Sequence, residues 1–215
     1  MHIGNEESKV VSRAENKLAG AARAFAFDFR GKTVLDIGSS TGGFTEYALR
    51  RGAEKVIAVE KGTRQMKAPL RFDTRIELYE KTDIFNVVAK DTEGFRGFKE
   101  RGERVGESLV IIEAPEVILA DVSFISLTKV LAYAKINLAR FKTDFLVMLK
   151  PQFEAEDFEL NKGVVKNEKL RREIIRRFET WVKRNGFLIL GKRDNELSGK
   201  NGNVERFYHL RLAKK

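Results

Sequence analysis

The sequence predicts an α/β protein built on an open, mostly parallel sheet of seven strands with helices on both faces. Three observations predict it. Apolar runs of strand length, such as TVLDIG (33–38), KVIAVE (55–60), VILADV (117–122) and DFLVMLK (144–150), alternate with segments of helical period. A turn of small residues joins the first run to the helix that follows, which is the signature of a βαβ unit. The 215 residues, 42% of them hydrophobic, suffice to bury one full-sized core.

In chain order, Ser12 and Glu15 have capping-box spacing and open a helix whose Leu18, Ala21, Ala22 and Phe25 share a face. Lys17 lies near its start. Residues 1–30 are therefore expected to be a helical segment packed on a main domain of residues 31–215. After the strand at 33–38, GGFTEYALRRG (42–52) has helical period, and KVIAVE closes the βαβ unit. A short helix is expected near 63–72, a strand at RIELYE (75–80), a strand at 117–122, a helix over 126–140 and a strand at 144–150. Residues 167–185 carry the clearest helical stripe, with Leu170, Ile174, Ile175, Phe178, Trp181 and Val182 apolar and basic residues elsewhere; Asn185-Gly186 ends it. Two strands, FLILGK (187–192) and VERFYHLRL (204–212), complete the seven. The stretch 86–116 reads as an insertion, a small hairpin or a helical excursion.

Composition excludes several chemistries. The chain has no Cys and only two His, which removes disulfides, iron–sulfur clusters, thiolate nucleophiles and most zinc sites, so no metal is expected. Its longest aliphatic run, Phe145–Leu149, is far short of the ~20 residues that span a bilayer, and the first residues lack an apolar signal core. A cytoplasmic protein without a membrane partner, acting as a monomer, is the expectation. Lys and Arg number 41 against 31 Asp and Glu, a formal charge of +10, and residues 161–193 hold 11 basic residues against three acids. Such a local excess points to a polyanionic partner.

The string Asp36-Ile37-Gly38-Ser39-Ser40-Thr41-Gly42-Gly43-Phe44 occupies the carboxyl end of the first strand, where open α/β sheets bind ligands. It lacks the middle glycine of a dinucleotide fingerprint, whose place is taken by Ser40, and Asp36 would repel a pyrophosphate. A carboxylate there favours a ligand bearing an ammonium or sulfonium group, as S-adenosylmethionine does. Glu60, 24 residues on at the end of the second strand, is placed to accept hydrogen bonds from ribose hydroxyls, with Lys61 beside it. Asp83, after the third strand, is placed for an adenine amino group.

Methyl transfer needs an acceptor held in line with the donor methyl. The fourth strand ends Ala120-Asp121-Val122-Ser123-Phe124, without the Pro-Pro-aromatic pattern that grips exocyclic amines, which favours a hydroxyl acceptor. The absence of Cys closes the covalent route to pyrimidine carbon methylation. The next strand ends in Lys150, and a lysine closing a buried apolar strand is costly unless paired or partly neutral. Asp121 would orient its amine, and Lys17 would be a second cation nearby. The plain structural reading is a salt bridge between Asp121 and Lys150.

The chain resembles the catalytic part of TlyA-like ribosomal RNA 2′-O-methyltransferases, relatives of the FtsJ-like group. The resemblance runs from about Val11 to Leu212 and rests on SRAENKL (12–18), VLDIGSSTGGFTEYALRRGA (34–53), ADVSFISL (120–127), LKPQFE (149–154), NKGVV (161–165) and GKNGNVERFYHLR (199–211). It implies a Rossmann-like methyltransferase sheet with an antiparallel last strand, S-adenosylmethionine as donor, ribosomal RNA or a ribosomal subunit as partner, and a catalytic tetrad of Lys17, Asp121, Lys150 and Glu205. The residues alone do not single out Glu205. Two departures stand out. Ala14-Glu15 replaces the family's Gly-Gly and adds a negative charge where RNA would pass, and only about ten residues precede the match where the family carries a small RNA-binding domain. Phosphate contacts are therefore expected from Arg13, Lys162, Lys166, Arg171, Arg172, Arg176 and Arg177. Two other readings stay open: an RNA-binding assembly factor without turnover, and the haemolysin activity for which some family members are labelled. No amphipathic stretch suits lysis.

Overall fold

A computed structural model describes residues 13–100, 110–156, 160, 163–196 and 202–214. Helix α1 (Arg13–Ala24) is followed by β1 (Thr33–Ile37), α2 (Gly43–Arg50), β2 (Lys55–Val59) and β3 (Ile76–Tyr79). Then come β4 (Val87–Ala89), α3 (Glu93–Glu100), β5 (Val110–Ile112), β6 (Val117–Ala120), α4 (Leu127–Asn137) and β7 (Asp144–Leu149). Helix α5 (Glu168–Arg184), β8 (Phe187–Asp194) and β9 (Arg206–Leu212) end the order.

The main sheet has seven strands in the order β3-β2-β1-β6-β7-β9-β8. The first five are parallel, and β9 runs antiparallel to both β7 and β8. The parallel strands read as unbroken apolar runs because both faces are covered: all six residues of β7 and all four of β6 are buried. On one face α1 and α2 pack through Leu18, Ala22, Phe44 and Ala48 onto Val34, Val56, Leu119, Met148 and Phe207. On the other, α4 and α5 pack through Val130, Leu131, Phe178 and Val182 onto Ile37, Ala120, Val147 and Tyr208. Alternation along the strands then decides which face each later residue serves.

Three local expectations are revised. The segment expected as a helix near 63–72 holds only a single tight turn at Leu70–Phe72, because Pro69 interrupts any helix running into it. Of the two readings of the insertion the hairpin fails and a helix is present: β4 and β5 form a separate two-stranded parallel ladder, Val87 opposite Val110, with α3 in the connection. Parallel pairing requires such a crossover. Ser12 of the expected capping box lies outside the described residues. Glu15, expected to add negative charge to an RNA path, is instead buried and takes a 2.6 Å hydrogen bond from Arg50.

Candidate active site

The turn after β1 is set by backbone geometry. Gly38 has φ of +79°, its N–H donates to the Val59 carbonyl at 2.9 Å, and a Cβ there would stand 3.2 Å from the Asp121 carbonyl oxygen. Only glycine lets the end of β1 approach the end of β6 this closely. We expect Gly38→Ala to cost about 1–2 kcal/mol of stability from the left-handed backbone alone, measured by urea unfolding; a wild-type midpoint would contradict this.

A cleft of about 670 Å³ opens over the carboxyl ends of β1, β2 and β6. Gly38, Ser40, Glu60, Lys61, Asp83 and Asp121 line it. The Glu60 carboxylate ties two turns together, accepting from Ser40 N–H at 2.8 Å and from Gly62 N–H at 2.6 Å. Asp83 accepts from Lys61 Nζ at 2.8 Å and from Phe85 N–H at 3.1 Å. The Lys61 hydrogen bond, helped by Phe85, holds its carboxyl below the ordinary aspartate range. Ile84, Phe85 and Val130 supply an apolar wall.

Asp36 and Ser39 lie beneath this cleft and do not line it. Thr45 Oγ1 donates to one Asp36 oxygen at 2.6 Å, while the other oxygen and the Ser39 hydroxyl are buried without a partner among the described residues. Burial pushes the Asp36 carboxyl up to about 7, against the Thr45 hydrogen bond and with a further push from Asp121 and Glu60. Between about pH 4 and 7 the folded state therefore keeps a proton that the unfolded chain has released, and stability falls as pH rises through that window. The ceiling of this effect is about 4 kcal/mol. Asp36→Asn removes it, so the variant should gain stability relative to wild type between pH 4 and 8 in urea titrations. Parallel pH curves for the two proteins would refute the assignment.

The remaining residues of the turn do not line the cleft. Thr41 is exposed, Gly42 and Gly43 are buried at the start of α2, and Gly42 has φ of +93°. Phe44, expected at the cofactor, is 3% exposed and packs 6.0 Å from the Phe207 ring in the α1-side core. The reason is helical spacing: Phe44, Tyr47 and Ala48 form one apolar stripe on α2.

At the mouth of the cleft, Lys150 Nζ lies 2.6 Å from Asp121 Oδ1 and donates to Ser123 Oγ at 2.8 Å. Strand register explains the meeting. Asp121 continues β6, Lys150 continues β7, and both follow residues (Leu119 and Met148) that point to the α1 face. Glu205 precedes β9 and comes directly after the Leu149–Arg206 pair in the antiparallel ladder, opposite Lys150 and on that same face. There α1 supplies Lys17, whose Nζ donates to Glu205 Oε2 at 2.5 Å, both side chains being nearly buried. Each lysine is thus paired with a carboxylate. Sequence reasoning missed Ser123 and Glu154. The Glu154 carboxylate accepts from Ser126 Oγ at 2.7 Å and Leu127 N–H at 2.5 Å, fixing the loop after Asp121 to the turn after Lys150. Its signal was the LKPQFE string itself.

The expected RNA contacts divide. Arg171 is buried, donating to Asp194 at 2.7 Å and to the Val204 carbonyl at 3.2 Å, so it holds α5 to the sheet edge and offers nothing to RNA. Lys166, Arg172, Arg176 and Arg177 are exposed, the three arginines on a helix covering the face opposite α1. Lys162 and the Arg13 side chain lie outside the described residues. Among the described residues, no group of three or more His, Asp or Glu is arranged to hold a metal, and no helix is long and apolar enough to cross a membrane.

Comparison with known proteins places this geometry. A 16S/23S rRNA (cytidine-2′-O)-methyltransferase TlyA from Mycobacterium tuberculosis is 35% identical over 97% of this chain and 71% of its own length. Hemolysin A from Brachyspira hyodysenteriae is 35% identical over 94% of this chain and 77% of its own. A Streptococcus thermophilus structure described provisionally as a hemolysin superposes with a TM-score of 0.79 at 30% identity, covering 99% of this chain and 70% of that one. The pattern of the FtsJ-like methyltransferases matches residues 10–212, and the sheet order is that of a Rossmann-like methyltransferase with its last strand antiparallel. The chain belongs to the FtsJ-like methyltransferase family.

Proposed function

We propose that the chain transfers a methyl group from S-adenosylmethionine to a ribose 2′-hydroxyl of ribosomal RNA. The observation that carries this reading is the convergence of Asp121, Lys150, Glu205 and Lys17 on one face of the sheet, with Asp121 reaching into the cleft. The TlyA relative named for cytidine 2′-O-methylation supports the substrate class.

The residues present fit the donor. Its aliphatic amine or sulfonium would meet Asp121, its ribose hydroxyls the remaining lone pairs of Glu60, and its base the slot beside Asp83. When bound, S-adenosylmethionine supplies an electrophilic methyl group. Lys150, fixed by Asp121 and Ser123, would hold the acceptor oxygen in line; as the oxygen–methyl bond forms and the methyl–sulfur bond breaks, the hydroxyl proton passes to solvent water and the demethylated donor leaves. Lys17 and Glu205 fix the far side of the acceptor position. Positioning does most of the work in such a step, so no strong free base is required.

The test is transfer of labelled methyl from S-adenosylmethionine to ribosomal RNA, followed by nuclease digestion. An alkali-resistant dinucleotide carrying the label is the expected product. Label on a base overturns the acceptor assignment, and no cofactor binding at all returns the chain to an assembly factor.

A further inference from the structure

The tetrad stands between two openings. Asp121 borders the donor cleft, while Lys17 borders a second groove of about 230 Å³ between α1 and the end of β8. We infer that the acceptor strand enters by this second groove and lays the phosphodiester beside the acceptor sugar against Arg23. This rests on the proposed ribose methylation and adds the path of the RNA to it.

The groove is built for a polar chain. Asn16, Lys17, Arg23 and Asn195 line it, with Gly20 in its floor. A Cβ at Gly20 would meet nothing within 4 Å, so the missing side chain leaves room for a ligand and answers no packing need. The acids nearby are already matched: Asp194 takes hydrogen bonds from Arg171 and Arg206, and Glu196 pairs with Arg193, which also donates to the Gly20 carbonyl. Arg23 is exposed, and while its carbonyl accepts from Ala26 N–H at 3.2 Å, its guanidinium has no hydrogen-bond or ion-pair partner among the described residues. An unpaired guanidinium at the open end of a groove leading to a buried Lys–Glu pair suits a phosphate, which it can grip with two parallel hydrogen bonds.

The same geometry argues against the basic helix. Arg172 and Arg176 are on α5, which packs against Tyr208 and Phe187 on the face away from α1. The side chains of Lys150 and Glu205 follow the register of Met148 and Phe207 and point to the α1 face. A strand held along α5 would have to round the β8 edge before its sugar met the tetrad.

The experiment measures methyl transfer to deproteinised 16S and 23S ribosomal RNA by wild type, Arg23→Glu, Gly20→Leu and Arg176→Glu, with S-adenosylmethionine affinity by calorimetry. Expected are a KM for RNA raised about tenfold or more in Arg23→Glu and Gly20→Leu, a cofactor Kd within about twofold, and a melting temperature at or above wild type for Gly20→Leu, since leucine is the better helix former. In Arg23→Ala the slope of log affinity for RNA against log salt should fall by about one. Wild-type KM in both groove variants, or a larger loss in Arg176→Glu than in Arg23→Glu, overturns the inference while leaving ribose methylation intact. No ribose label with wild type overturns both.

Discussion

Lys150→Ala is expected to lower kcat for ribose methylation by about a thousandfold or more, with S-adenosylmethionine affinity within about threefold of wild type. The amine is the group placed at the cleft mouth by both Asp121 and Ser123, so its removal leaves the acceptor oxygen without a fixed partner while the donor contacts at Glu60 and Asp83 stand. Lys150→Arg should recover little, because a planar guanidinium cannot occupy a point held 2.6 Å from Asp121 and 2.8 Å from Ser123 in the same way. Single-turnover transfer with saturating cofactor is the measurement. Undiminished transfer by Lys150→Ala would remove the lysine from the reaction.

The second large effect is on folding as well as rate. Lys17 and Glu205 are separated by 188 residues and form a nearly buried pair at 2.5 Å. Glu205→Leu strands a lysine in the interior and is expected to cost about 3–5 kcal/mol. The double change Lys17→Met with Glu205→Leu should return stability to within about 1 kcal/mol of wild type, since well-packed apolar side chains replace a buried ion pair at little cost. Activity should stay lost. Urea unfolding of the three proteins beside their transfer rates separates a pair kept for chemistry from one kept for stability; an active, stable double variant would show that the pair serves neither.

Much of this fold was legible because buried parallel strands are written as unbroken apolar runs, and VIAV, VILA and FLVML admit few other readings. The acid two residues before the glycine turn misled in part: Asp36 is buried beneath the cleft and held by Thr45, whereas Glu60 and Asp83, at the ends of the next two strands, do line it. Glu205 was not legible, because an acid beginning a strand looks solvated until the register with Lys150 is known, and register is a property of two distant segments. Arg171 and Phe44 were misassigned although spacing carried the answer. Arg171 precedes Ile174 and Ile175 by three and four residues, on the buried stripe of α5, and Phe44 does the same for Tyr47 and Ala48 on α2. Chemistry-bearing residue types drew attention away from period.

Strand β9 lies between β7 and β8, hydrogen-bonded to both. Its pairing with β8 is local, but its pairing with β7 joins segments far apart in the chain and is slow compared with helix formation. During translation the cleft, lined by residues 37–130, emerges long before β9 leaves the ribosome's exit tunnel. Until then Lys17 has no counter-charge and the acceptor position has no far wall. On the proposed reading, a chain whose donor cleft has formed still lacks Glu205, and the tetrad is complete only once the sheet closes.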